Sequence, residues 1–269
     1  MARIFITGSS TGLGLMTGIE LARRGHSVVL HARNGDRARD VSAALPQAES
    51  VVVGDLETIA GSVAVAGDVN ALGRFDAVIH NAAIYSGGQR TTADGLRALF
   101  AVNVLAPYVL TSLVRPPDRL IYLSSGMHLG ANANLDDLQW QRRAWSDSTA
   151  YSESKLHVML LAFAVARLWS AVKANAVDPG WVPTRMGGPN ATDDLREGFA
   201  TQVELAAPAV HSPFVEATGE YFHHMRLRDP HPQSRDSALQ DELLALCART
   251  SGIEFPVPAV RHRQQQENS

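Results

Sequence analysis

A glycine-rich segment follows directly after the first apolar run of the chain. The run Arg3–Thr7 has the composition of a short buried strand, and Gly8, Gly12 and Gly14 come next, just before a stretch with helical spacing. Because glycine has no Cβ, backbone N–H groups in such a turn can approach an anion closely, and the dipole of the following helix favours negative charge. Glycines also end helices and form ordinary turns. Their place between a strand and a helix favours a turn that binds the pyrophosphate of a dinucleotide.

Short apolar runs alternate with helix-like stretches along most of the chain. Strands are predicted at Arg3–Thr7, Ser27–His31, Ser50–Val53, Asp76–His80, Arg119–Ser124 and Ala174–Val177, with a last one around Gly219–His223. Helices are predicted at Gly12–Arg24, Asp36–Ala44, Ile59–Leu72, Leu96–Val114 and Ala150–Ser170. Strands that are apolar on both faces indicate a parallel sheet covered on both sides. We therefore predict an α/β fold, a single-domain doubly wound parallel sheet of Rossmann type with helices on both faces and a ligand at the carboxyl ends of its strands.

The composition limits the classes of protein to which the chain can belong. A length of 269 residues with 45% hydrophobic residues suits one α/β domain, which we assign to residues 1–260. The polar end 261–269 is expected to be disordered. A net charge of −3 provides no basic surface of the kind that nucleic acid requires. We expect a small-molecule substrate and no nucleic-acid partner.

Cysteine usage and hydropathy indicate the cellular compartment of the protein. Cys247 is the only cysteine, so no internal disulfide can form, and a strand that begins at Arg3 leaves no room for a signal peptide. His157 and Arg167 interrupt the most apolar stretch, Leu156–Val172, which is expected to be a buried helix and not a membrane span. These features predict a cytoplasmic protein without a membrane partner.

Tyr151 and Lys155 have the spacing and chemistry of a proton-transfer pair. They are one helical turn apart and share a face of the predicted helix, and an ammonium group beside a phenol is expected to lower the pKa of the phenol. Ser125 follows a predicted strand and could donate a hydrogen bond to a substrate oxygen. Each residue alone could equally be structural. Together they predict an acid/base, Tyr151, for hydride transfer to or from a carbonyl carbon.

The order of these motifs resembles the short-chain dehydrogenase/reductase family over almost the whole chain. The family's motifs are matched by Thr7–Gly14, Asp55 with Leu56, His80-Asn81-Ala82-Ala83, Asn103, Ser125, Tyr151 with Lys155, and Pro179-Gly180 with Thr184. His80 and Ala83 replace the usual Asn and Gly of the fourth-strand motif. The segment between Ser125 and Tyr151 is longer than the family's common spacing, which is similar to the retinol-dehydrogenase-like branch.

The resemblance implies roles for named residues. The catalytic set would be Asn103, Ser125, Tyr151 and Lys155, with Asn103 holding a water for proton release and Lys155 also binding the nicotinamide ribose. The cofactor would contact Gly8, Ser10, Thr11, Gly12, Leu13, Arg33, Asp55, Leu56, Asn81, Ala82, Ala83, Tyr151, Lys155, Pro179, Gly180, Val182 and Thr184. Oligomers are common in the family, so a homo-dimer or tetramer formed through Leu96–Val114 and Ala150–Ser170 is expected.

The residues after the second strand bear on the choice of cofactor. An NAD-binding chain usually carries an acidic residue there to accept the ribose hydroxyls, and this chain has Ala32-Arg33-Asn34 instead. Arg33 could hold a 2′-phosphate through charge-assisted hydrogen bonds, or it could be a solvated arginine at a helix entry. We predict that NADP(H) is preferred and that NAD(H) use is possible.

The sequence therefore predicts an NADP(H)-preferring oxidoreductase that interconverts a carbonyl and an alcohol. An epimerase or dehydratase of the family's extended branch is one alternative, although its usual glycine spacing is absent. A protein that senses NADP(H) without turnover is another, although it would not need Ser125 together with Tyr151.

The substrate pocket is expected to be built from residues 126–150 and a mobile lid, residues 186–215. Met127, His128, Trp140, Trp145 and Trp181 are candidates for its walls, with ordinary packing as the alternative. Gly187-Gly188 could act as a hinge. His223-His224 lacks a third ligand at suitable spacing, so no metal site is predicted.

Overall fold

The computed structural model describes residues 1–257, whose strands form one eight-stranded sheet. The strands are β1 (Arg3–Ile6), β2 (Ser27–Ala32), β3 (Ser50–Val53), β4 (Ala77–His80), β5 (Arg119–Leu123), β6 (Lys173–Asp178), β7 (Tyr221–His223) and β8 (Arg226–Arg228). Their order is β3-β2-β1-β4-β5-β6-β7-β8, and only the last pair is antiparallel. The doubly wound parallel sheet is confirmed, with β8 as an unpredicted addition. The expected disordered tail 261–269 lies outside the described residues.

The strand order reverses at the middle of the sheet. The chain begins at β1, adds β2 and β3 on one side, and then crosses over to place β4 on the other side of β1. At such a reversal the loops after the two neighbouring strands diverge and leave a crevice at their carboxyl ends. The glycine-rich turn after β1 and the Asn81 loop after β4 border this crevice.

Helices cover both faces of the sheet. They are α1 (Gly12–Arg23), α2 (Gly35–Ala44), α3 (Ile59–Ala71), α4 (Ala98–Phe100), α5 (Ala106–Leu113), α6 (Asp147–Leu168), α7 (Leu195–Ala206) and α8 (Ser237–Ser251). Alternate residues of β1 enter different cores, because successive side chains of a strand point to opposite faces. Phe5 packs with residues of α3, α5, α6 and α8, whereas Ile4 and Ile6 pack with residues of α1, α2 and α7.

Local sequence explains where the predicted elements differ from those observed. The predicted helix Ala150–Ser170 begins earlier, at Asp147, because the Ser146 hydroxyl accepts a hydrogen bond from the N–H of Thr149 and caps it. The predicted helix Leu96–Val114 is divided by a π-helical turn, Ala101–Leu105, between α4 and α5. Residues 186–215, expected to be a mobile lid, contain the capped helix α7.

The apolar surface of α5 and α6 is covered within the chain. α8 packs against both helices. Two hydrogen bonds fix the residues that follow α8: the hydroxyl of Tyr108 donates to the carbonyl of Ile253, and the indole N–H of Trp169 donates to the carbonyl of Pro256. The apolar faces from which a dimer or tetramer was predicted are therefore largely buried within the protomer, and the oligomer stays a prediction. Within residues 1–257 no helix is both long and apolar enough to cross a membrane.

Candidate active site

Two adjoining cavities lie at the carboxyl ends of the strands, and Tyr151 lines both. The first, of about 270 Å³, is lined by most of the expected cofactor residues, namely Gly8, Ser10, Thr11, Leu13, Arg33, Asp55, Leu56, Asn81, Ala82, Ala83, Tyr151, Lys155, Pro179 and Thr184. The second, of about 660 Å³, is lined by Gly180 and Val182 together with Ser125. Gly12 lines neither cavity and lies beneath the side chain of Thr184.

The glycine-rich turn is packed so tightly that side chains are excluded. Gly8 has φ +60°, and a Cβ there would lie 2.7 Å from Cα of Ala82, while a Cβ on Gly14 would lie 2.5 Å from Nδ2 of Asn81. The Asn81 amide donates to the carbonyls of Thr7 and Gly8 at 3.0 and 3.1 Å. Backbone N–H groups at the N-terminal end of α1 therefore border an open cavity, which is the arrangement that binds phosphate.

His31 is a component of this turn that the sequence analysis missed. Its Nδ1 accepts a hydrogen bond from the N–H of Gly8 at 3.0 Å, and its Nε2 donates to the carbonyl of Gly54 at 2.9 Å. The ring must then be neutral with the proton on Nε2. Burial lowers the pKa of His31, which favours that form. The sequence shows a histidine at the end of β2 but gives no signal of a bond to a backbone amide outside the strand.

His80 replaces the family's asparagine without disturbing the turn after β4. Its Nε2 lies 3.2 Å from the hydroxyl of Thr111, and its ring stacks on Tyr122 with the centroids 4.7 Å apart. Burial lowers the pKa of His80 to about 3, so the ring is neutral. The N–H groups of Asn81 and Ala82 both donate to the hydroxyl of Thr7 at 3.0 Å, which holds the turn in place.

Two arginines line the outer end of the first cavity. Arg33 was expected there, and Arg37, in the first turn of α2, lines the same cavity and was missed. The N–H of Arg37 donates to the Asn34 side chain at the N-cap of α2, which fixes the first turn of that helix. The spacing of the two arginines on either side of this cap was the available signal. Asp55 and Glu57 line the cavity as well.

Lys155 and Tyr151 lie on one face of α6, as predicted. The ammonium group of Lys155 donates to the carbonyl of Leu123 at 2.8 Å and lies 5.4 Å from the centroid of the Tyr151 ring. Burial lowers the pKa of Lys155 to about 8, against an opposing effect of the Asp178 carboxylate. A modest rise in pH above neutrality would therefore deprotonate the ammonium group.

The expectation that Lys155 lowers the pKa of Tyr151 is wrong for this structure. Burial, and after it the charge of Asp178, raises the pKa of Tyr151 above its ordinary value, and the hydroxyl of Ser125 acts in the opposite direction. Desolvation disfavours the phenolate more than its neighbours favour it. Tyr151 is therefore protonated at neutral pH.

Asn103 lies behind the cavities and does not line them. Its Oδ1 accepts from the N–H of Ile84, and its Nδ2 donates to the carbonyl of Ile84 and the hydroxyl of Ser154. The side chain is 1% exposed. These hydrogen bonds tie the loop after β4 to α6, and the water expected at Asn103 stays a prediction.

The inserted segment after Ser125 contributes less to the second cavity than expected. Only Ser125, Gly126 and Met127 line it, whereas Trp140 and Trp145 pack against each other at 5.4 Å. Arg143 pairs with Asp137 and Glu153 and stacks on Trp140, which anchors the segment on α6. Of the candidate tryptophans, Trp181 alone lines the cavity, together with Tyr85, Met127, Val182 and Met186 among the apolar and aromatic side chains.

His128 is a buried structural residue that contacts the backbone of Ser125. Its Nδ1 donates to the carbonyl of Ser125 at 2.6 Å, and its Nε2 accepts from the N–H of His231 at 3.2 Å. The side chain is fully buried and lines neither cavity. Within residues 1–257 no group of three or more His, Cys, Asp or Glu side chains could hold a metal ion.

Comparisons with known proteins agree with the motifs. The sequence profile described as short chain dehydrogenase matches residues 2–195. The chain is 40% identical to the short-chain dehydrogenase chyC of Penicillium rubens, over 95% of this chain and 100% of that protein. It is 30% identical to human retinol dehydrogenase 13, over 94% of this chain and 85% of that protein.

Solved structures share the fold. An uncharacterized protein of Mycobacterium paratuberculosis aligns with a TM-score of 0.81 and 26% identity, covering 95% of both chains. A short-chain dehydrogenase of Shigella flexneri complexed with NADP aligns with a TM-score of 0.63 and 22% identity, over 84% of this chain and 97% of that one. The similarity therefore extends beyond the motifs to nearly the full chain.

Proposed function

The chain belongs to the short-chain dehydrogenase/reductase family, and on that premise we propose that it is an NADP(H)-preferring oxidoreductase that interconverts an aldehyde or ketone with its alcohol. One observation carries the proposal. Tyr151 lines both cavities, with Lys155 on the nucleotide side and Ser125 on the other. A proton donor at the junction of two cavities suits a reaction between two bound molecules.

The first cavity fits a dinucleotide phosphate. The Gly8 and Gly14 positions admit no Cβ, so backbone N–H groups at the start of α1 are free to face the pyrophosphate. Arg33 and Arg37 suit a 2′-phosphate, and no carboxylate at the end of β2 competes for it. When bound, the nicotinamide supplies or accepts the hydride.

The proton would pass through Tyr151. Its neutral phenol donates to the oxygen of a carbonyl as that oxygen gains negative charge, and Ser125 would donate a second hydrogen bond to the same oxygen. The ammonium group of Lys155 near the Tyr151 ring would then stabilise the phenolate that remains. Since Tyr151 is protonated at neutral pH, the site is poised for carbonyl reduction.

Two alternatives make different demands. A family member that epimerises or dehydrates a nucleotide sugar would oxidise and reduce within one catalytic cycle, so its cofactor would show no net consumption. A sensor would bind the nucleotide without turnover. Support for the proposal comes from the Tyr151, Ser125 and Lys155 set, which a sensor does not need.

The test is consumption of NADPH or NADH with a panel of aldehydes and ketones, compared with nucleotide affinity measured alone. We expect turnover with a subset of carbonyls and a higher kcat/KM with NADPH. Tight nucleotide binding without turnover on any carbonyl would favour the sensor or the epimerase or dehydratase over the proposed reaction. Equal kcat/KM for the two cofactors would contradict the preference for NADP(H).

A further inference from the structure

The second cavity carries a polar side chain to which the proposed reaction assigns no role. Besides Tyr151, the titratable residues that line it are Tyr85, Asp178, Asp193 and His223. The lining described includes no Lys or Arg. Of the two ring nitrogens of His223, only Nδ1 contacts hydrogen-bonding partners within the described residues.

The proton on His223 can be assigned from its neighbours. Its Nδ1 lies 3.1 Å from Oδ2 of Asp178 and 3.3 Å from the carbonyl oxygen of the same residue. Both are acceptors, so Nδ1 carries the proton, and in the neutral ring Nε2 is an acceptor. Among residues 1–257 no donor is bonded to Nε2, and the side chain is 27% exposed.

Asp178 is held firmly enough to orient this ring. It ends β6 directly beside His223 at the end of β7. Its Oδ1 accepts from the N–H of Gly180 at 2.9 Å, and the hydroxyl of Tyr221 lies 3.4 Å from its Oδ2. The residue is 8% exposed. A carboxylate fixed in this way specifies both the tautomer and the direction of a histidine bonded to it.

The backbone beyond His223 is strained. His224 and Met225 form the turn between β7 and β8 with φ of +46° and +65°, a region that residues other than glycine rarely adopt. His224 stacks on His223 with the centroids 3.8 Å apart, and its Nε2 lies 3.2 Å from the carbonyl of Pro179. The N–H of Met225 donates a hydrogen bond to the hydroxyl of Thr201. This two-residue turn fixes the end of β7, on which His223 lies.

We propose that His223, oriented by Asp178, is a specificity-determining residue that accepts a hydrogen bond from a hydroxyl or amino group of the substrate. The inference rests on the proposed carbonyl reduction and narrows its substrate class. The substrate is a ketone or aldehyde whose apolar body contacts Met127, Trp181 and Met186 and which carries a hydrogen-bond donor away from the reacting carbon. A carboxylate substituent is disfavoured, because Asp178 and Asp193 repel it.

The test uses four ketones of one scaffold that differ in one substituent: hydroxyl, amino, methyl or carboxylate. The wild-type protein should give a kcat/KM about 3- to 10-fold higher for the hydroxyl or amino ketone than for the methyl ketone, the usual worth of one hydrogen bond. In His223→Phe this ratio should fall to about one while turnover of the methyl ketone persists. His211→Phe is the matched control, since His211 is exposed and lines neither cavity.

Asp178→Asn tests the positioning role. The asparagine amide can donate to Nδ1, which would move the ring proton to Nε2 and remove the acceptor. The ratio of hydroxyl to methyl ketone should then fall, through KM more than kcat, while NADPH affinity stays unchanged. If Asp178 had only a structural role, the substitution would lower kcat/KM equally for both ketones and leave their ratio unchanged.

Three results would overturn the inference. They are a wild-type ratio near one, a ratio that survives His223→Phe, and a preference for the carboxylate ketone. Turnover of the methyl ketone in any of these cases would leave the proposed function standing. An absence of turnover on all four ketones and on the wider carbonyl panel would overturn the proposed function and this inference with it.

Discussion

At the scale of single residues, sequence motifs located Tyr151, the proposed proton donor, but not the electrostatics around it. Tyr151 and Lys155 share a helix face because of their spacing alone, so their proximity could be predicted. Whether burial or the neighbouring ammonium group governs the pKa of Tyr151 depends on how residues far apart in sequence pack, Asp178 among them. No local sequence pattern predicts that packing. The same holds for His31, whose hydrogen bond to Gly8 joins β2 to the turn after β1.

Lys155 gives the reduction a pH dependence. Its pKa of about 8 means that the ammonium group is charged below that pH and becomes neutral above it. The kcat/KM for carbonyl reduction should therefore fall as pH rises through about 8, whereas Tyr151 keeps its proton over this range because its pKa is raised. Steady-state rates between pH 6.5 and 9.5 would show this fall. A profile that stays flat to pH 9.5 would contradict the assignment.

Arg33 should dominate the choice between the two nucleotides. Loss of a charge-assisted hydrogen bond to phosphate costs about 1.5–3 kcal/mol, so Arg33→Ala should lower the ratio of kcat/KM for NADPH over NADH by roughly 10- to 150-fold. Arg37→Ala should lower it less, because Arg37 also pairs with Asp40 at 3.4 Å. Arg39→Ala is the matched control, as Arg39 pairs with Asp36 and does not line the cavity. An unchanged ratio in both cavity variants would place the phosphate elsewhere.

At the scale of secondary-structure elements, periodicity predicted the six parallel strands that precede β7 and the helices between them. The predictions failed where a cap or an ion pair decides the outcome. Ser146 starts α6 before the apolar pattern does, and Arg143 with Glu153 holds the inserted segment against α6 and not over the cavity. The π-turn around Asn103 also left no periodic signal. These features depend on single side-chain contacts. A periodic pattern is read over many residues and does not report such contacts.

The glycine-rich turn can be tested by comparing two left-handed glycines. Gly8 and Gly25 both have positive φ, so alanine at either position costs about 1–2 kcal/mol of backbone strain. A Cβ on Gly8 would in addition collide with Ala82, whereas a Cβ on Gly25 would meet nothing within 4 Å. Gly8→Ala should lower the free energy of unfolding more than Gly25→Ala and should weaken NADPH binding, which Gly25→Ala should leave intact. Urea unfolding and nucleotide titration would measure both effects, and equal losses in the two variants would refute the packing argument.

At the scale of the whole molecule, four histidines that are buried within residues 1–257 should make the fold sensitive to acid. Burial lowers the pKa of His31, His80, His128 and His157. The unfolded chain binds protons at these sites below its ordinary histidine pKa of 6.5, and the folded chain resists them, so stability is lost as pH falls below 6.5. His80 alone, whose pKa in the folded state is about 3, should lower the free energy of unfolding by about 2 kcal/mol as the pH falls from 6.5 to 5.

Urea unfolding at pH 7, 6 and 5 would measure this loss. The paired carboxylates contribute mainly at lower pH, because their pKa values lie below the ordinary acidic range, that of Glu20 being about 2. His80→Asn should reduce the slope of stability against pH between 6.5 and 5, since it removes one buried titrating ring. A free energy of unfolding that is constant or rises over this interval would contradict the burial argument.

The central claim is that Tyr151 delivers the proton during an NADPH-dependent carbonyl reduction, and Tyr151→Phe tests it most directly. The phenylalanine keeps the ring packed against Tyr85 and Lys155 but removes the hydroxyl. The kcat of the variant should fall at least about 10²-fold, the lower end of general acid–base contributions, while the Kd for NADPH changes little. Near-normal turnover in a folded Tyr151→Phe variant that still binds NADPH would contradict the account.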